Sequence, residues 1–114
     1  MNKYIIEKNI GKAHDAIKSV YGFQQISSSM RSKMAAFGAA VLMSGPRSAF
    51  AYFNKNEKKL VELIAKMYDK NSADELIQLF ESSSPDVNEL IAKSVSLKLA
   101  LNMFIDPEED KESN

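Results

Sequence analysis

The 114-residue sequence predicts an all-α protein: a single compact bundle of about five to six helices over residues 1–105, then an acidic, disordered tail over 106–114. Three observations predict this. Apolar residues recur at three- and four-residue spacing almost throughout. Capping and helix-breaking residues stand where each such run stops. No alternating apolar–polar run bounded by hairpin turns competes with them. The length is that of one domain with a core large enough to need no covalent staple.

The first helix spans about residues 3–21 on the stripe Ile6, Ile10, Ala13, Ile17 and Val20, and Gly22 ends it. Ser27, Ser28 and Ser29 offer an N-cap for a second helix. Its stripe is Met30, Met34, Phe37 and Val41, with Leu42 beside it. Gly45-Pro46 breaks that helix, because Gly suits a left-handed C-terminal position and Pro suits the first turn of the next helix. Ala49, Phe50 and Phe53 give a short third helix its apolar face, and 54–56 reads as a turn. Leu60, Leu63, Ile64, Met67 and Tyr68 mark a fourth helix, which breaks near Lys70. Ser72 with Glu75 has the spacing of a capping box and opens a fifth helix carrying Leu76, Leu79 and Phe80. The run 82–85, Ser-Ser-Ser-Pro, is a loop. Asp86 with Glu89 repeats the capping logic for a last long helix. Leu90, Ile91, Val95, Leu97, Leu99, Leu101, Met103 and Phe104 give that helix a broad apolar surface and a central place in the bundle.

Composition excludes several classes. Without cysteine there is no disulfide framework and no thiolate metal site. The opening MNKYIIEKNIGK has its charges too close together for a signal-peptide apolar region, and no window approaches a membrane span. These features predict a soluble, cytoplasmic protein with no membrane partner. The single His14 stands on a lysine-rich helix with no second His, which suits a solvated or edge residue better than a ligand or base. There is no phosphate-binding Gly loop. Asp74 and Glu75 suit a helix start. The six methionines fall at helical spacings and read as core filler. The expectation is therefore no catalytic residue, no metal, no cofactor and no small-molecule substrate.

The formal net charge is zero, but its halves differ. Through Lys70 there are twelve Lys or Arg against five acids, and from Asn71 onward three against ten. Such asymmetry points to a polyanion-facing side and to oppositely charged ends able to stack. From Gly22 to Asn56 there is no acid at all. Within that stretch, MRSKMAAFGAAVLMSGPRSAFAYF (30–53) carries only Arg31, Lys33 and Arg47 as charges. Ala35, Ala36, Gly38, Ala39 and Ala40 make its helix small-sided, which suits tight core packing and also a flat face for a neighbouring chain. Tyr52 and Phe53 could stack on bases, but their spacing favours burial.

Three pieces resemble a known family. The run 30–53 resembles its helical hairpin, with a basic lead-in, a Phe-Gly-Ala helix, a Ser-Gly break and a short helix ending in an Ala-aromatic-Phe run. EKKLVELIAKMY resembles the helix that follows, and SVSLKLALNMF the last helix. The family is the small subunit of the type III-B CRISPR effector, the Cmr complex, and the match runs in order over most of 26–105. Two positions depart from it: Gly45-Pro46 stands where the family commonly has Gly-Leu, and Asn102 where it often has a basic residue. The resemblance implies a non-catalytic subunit whose copies stack along the complex beside other Cmr subunits. Its inner face would border the guide RNA–target RNA duplex. Phosphates would be met by Arg31, Lys33 and Arg47, with Lys55 and Lys98 as further contacts. A helical protein–protein adaptor without nucleic-acid contact is the alternative.

Overall fold

A computed structural model describes residues 3–105, with side chains from residue 9 onward. The expected all-α bundle is what it shows: α1 (Lys3–Tyr21), α2 (Ser29–Ser44), α3 (Pro46–Asn56), α4 (Lys58–Met67), α5 (Ala73–Ser82) and α6 (Val87–Leu101). The acidic run 106–114 and the side chain of Ile6 lie outside the described residues.

Local chemistry sets the helix ends. Gly22 and Gly45 both take positive φ, 59° and 89°, a backbone that a side chain would strain. Pro46 follows at the first turn of α3. The Glu75 N–H donates to Ser72 Oγ at 3.2 Å, as a capping box requires. The Glu75 carboxylate accepts from the Asn71 N–H at 2.7 Å, one residue earlier than the usual box. The Glu89 N–H donates to Asp86 Oδ1 at 3.0 Å, so the second cap forms as well. At α2 the serine cap differs from expectation. Ser28 makes no side-chain cap bond, and Ser27 Oγ instead accepts from the Ser29 N–H at 3.3 Å. Residues 54–56 are not a turn: α3 runs through Asn56, and the break is the single residue Glu57 at φ −140°. The α4 break falls at Asp69, which is left-handed at φ 61° and ion-paired with Lys12 at 2.9 Å.

α6 is central and packs on α1, α2 and α4. Leu60, Leu63, Ile64, Met67, Leu90, Leu97 and Leu101 are fully buried between these helices. Phe37 meets Phe50 and Phe53 edge-on at 5.1 and 5.4 Å, and Phe50 meets Phe80 at 5.3 Å, which joins α2, α3 and α5. Among the described residues no helix is long and apolar enough to cross a membrane.

Several residues read as core lie outside it. Leu42, Met43, Tyr52, Leu99 and Met103 are exposed. The reason is shared: α2 and α6 are apolar around much of their circumference, so spacing alone does not say which side meets a neighbour. The small residues divide the same way. Ala35, Ala36 and Ala39 face outward, and only Gly38 and Ala40 turn partly inward.

Candidate nucleic-acid interface

α2 and α6 run antiparallel. Arg31 Nη1, in the first turn of α2, donates to Asn102 Oδ1 at the C-terminal cap of α6, 2.8 Å away. Midway, a Cβ built on Gly38 would lie 3.5 Å from Ser94 Oγ and 3.8 Å from Ile91 Cδ1. Between the two helices an open groove of about 210 Å³ is lined on one side by Ala35, Ala39 and Leu42, and on the other by Ile91, Val95 and Lys98. Arg31 stands one turn before Ala35, and Lys98 one turn before Asn102. Both cations therefore flank the same end of the groove. No residue lining the groove is a carboxylate.

The five expected cations do not form one cluster. Arg31 and Lys98 share the α2–α6 groove. Lys33 lies on another side of α2, where its Nζ pairs with Glu57 Oε1 at 3.0 Å. Arg47 is exposed at the opposite end of α2, beside a cleft of about 970 Å³ between α3 and α5. Lys55 is exposed in the last turn of α3, the end of that helix nearest Glu57. The acid-free hairpin therefore obtains a partner for Lys33 from the first acid beyond it.

Two lysines with defined environments escaped the sequence reading. Lys59 Nζ lies 4.7 Å from the Tyr21 ring centroid and donates to Gln24 Oε1 at 2.6 Å. Lys93 is only 9% exposed; its Nζ pairs with Glu89 at 3.2 Å and sits 4.9 Å from the Tyr68 ring centroid. The Glu89–Lys93 spacing of four was the one signal available for that pair. Burial raises the Tyr68 hydroxyl pKa above the ordinary value of 10.0, with Glu89 and Asp86 adding to the effect. His14 packs against Phe104 with ring centroids 4.7 Å apart. Among the described residues no three His, Cys, Asp or Glu side chains gather as metal ligands would.

Fold and groove together define a small helical bundle with a cation-flanked, small-sided groove. Compared with known proteins, the chain matches no family model, no curated protein sequence and no solved structure.

Proposed function

We propose that the protein is a non-catalytic, RNA-facing scaffold subunit of a cytoplasmic RNA-guided effector of the type III-B CRISPR (Cmr) kind. In this reading its partners are other subunits, further copies of itself and a guide–target RNA duplex. The observation that carries the reading is the α2–α6 groove, flanked by Arg31 and Lys98 and lined without a carboxylate. A phosphate backbone needs cations, the absence of repelling acids, and room to approach. Ala35 and Ala39 leave that room. Asn102 does not supply the cation that relatives of this kind often have there, but it accepts from Arg31 and so holds a cation at the same place.

The second reading is a protein–protein adaptor, favoured by exposed Leu42, Met43, Leu99 and Met103 on the same two helices. One comparison separates the two. Arg31→Ala with Lys98→Ala should weaken RNA binding and lower the salt slope by about one unit per lost phosphate contact. Lys33→Ala, which removes a cation already paired with Glu57, should change both far less. Equal effects from all three, or none from any, would leave the adaptor.

A further inference from the structure

Phe23 is fully exposed in the loop between α1 and α2. The loop holding it is well tied. Gly22 turns the chain at φ 59° with its N–H on Lys18 O at 2.9 Å, and the Gln24 N–H donates to Tyr21 O at 2.9 Å. The Gln24 side chain accepts from Lys59 at 2.6 Å. The ring therefore projects from an ordered turn, and Lys18, Lys58 and Lys59 are exposed on the helices that meet there.

At the other end of the molecule lies the cleft of about 970 Å³, lined by Pro46, Phe50, Ile77, Phe80, Pro85 and Val87. The ends are distinct because α3 links them. Pro46 at its start lines the cleft, and α4, which follows its end, carries the Lys59 that binds the Phe23 loop. Eleven helical residues span about 16 Å. Charge differs between the ends as well. Glu81 lines the cleft and Asp86 stands between two of its lining residues. The C-termini of α2 and α5 point into this region with no basic residue in either last turn. Arg47 is the one cation in the lining.

We propose that Phe23 of one copy inserts into the α3–α5 cleft of the next, a head-to-tail contact between copies of this chain. An apolar prong at one end and a complementary pocket at the other form a heterologous interface, which propagates rather than closes. Lysines around the prong face Glu81 and Asp86 around the cleft, which sets the direction of docking. The inference deepens the stacking element of the proposed function but stands on these two features.

The test uses the purified full chain without RNA, so its failure is separate from a failure of RNA binding. Sedimentation velocity at low salt, up to the highest soluble concentration, should show dimers giving way to longer species. Phe23→Ala and Ala51→Lys both change exposed residues, the first removing the prong and the second blocking the cleft with a repelling charge. Each variant alone should associate roughly tenfold to a hundredfold more weakly, the factor expected for one buried phenyl group. Mixed together, they should form a one-to-one dimer and stop there, since each retains the half that the other lacks. Circular dichroism on both variants checks that the helices are intact. A wild-type chain that stays monomeric, a Phe23→Ala chain that associates like wild type, or a mixture that forms no dimer would each overturn the proposal. So would unchanged association together with weakened RNA binding in Phe23→Ala, which would make the ring a base-stacking group.

Discussion

Arg31 and Asn102 lie 71 residues apart in sequence and meet at 2.8 Å, joining the first turn of α2 to the end of α6. The guanidinium thereby has a defined direction at the mouth of the groove. An amide accepts from it without neutralising it, whereas a carboxylate there would cancel the charge. Lys33, two residues on, has the opposite arrangement, since Glu57 does neutralise it.

The Arg31–Asn102 bond is exposed, so its contribution to stability is small. A double-mutant cycle with Arg31→Ala and Asn102→Ala should give a coupling of about 0.5–1.5 kcal/mol by urea unfolding. In RNA binding, Asn102→Asp should weaken affinity more than Asn102→Ala, because the added carboxylate pairs with Arg31 and repels phosphate. Equal RNA affinities for the two Asn102 variants would detach Arg31 from RNA.

Gly38 should tolerate a methyl group. Its Cβ would meet Ser94 and Ile91 at ordinary contact distances. Gly also costs about 1 kcal/mol relative to Ala inside a helix. Gly38→Ala should therefore raise the unfolding free energy by about 0.5–1 kcal/mol, read as a higher midpoint in thermal or urea melts. A loss of stability would mean that α2 and α6 need to approach more closely than the groove geometry indicates.

Tyr68 carries a buried hydroxyl without a hydrogen-bond partner. Tyr68→Phe removes that atom while keeping the ring contacts to Phe80, at 5.2 Å, and to Lys93. Unfolding free energy at neutral pH should stay level or rise by about 1 kcal/mol. The same group produces an alkaline effect. Its folded pKa lies above the ordinary 10.0, so the unfolded chain loses this proton first. Stability from this source is complete below pH 10 and is lost as the pH rises toward the folded value. Tyr21, raised by burial with Glu57 and Glu62 adding to the effect, acts in the same direction. Stability curves from pH 9 to pH 11 should fall less steeply for Tyr68→Phe than for wild type, and parallel curves would refute the assignment.

The sequence by itself determined the helices and most of their ends. Gly22, Gly45-Pro46, Ser72 and Asp86 act on backbone groups within a few residues, so their effect needs no distant partner. It also determined the inner faces where one apolar stripe stood against polar neighbours, as in α4 and α5. It did not determine which side of α2 or α6 faces outward. Both helices are apolar or small around much of their circumference, and the choice that exposes Leu42, Leu99 and Met103 follows from how α6 seats among α1, α2 and α4. Nor did it determine the state of each cation. Arg31 meets Asn102 from 71 residues away and Lys33 meets Glu57 from the far end of α3. Such pairings depend on the angle at which two helices cross, which no local pattern encodes. For the same reason only the tertiary structure showed Phe23 projecting at one end and the α3–α5 cleft at the other, since both arise from where helices stop short of covering one another.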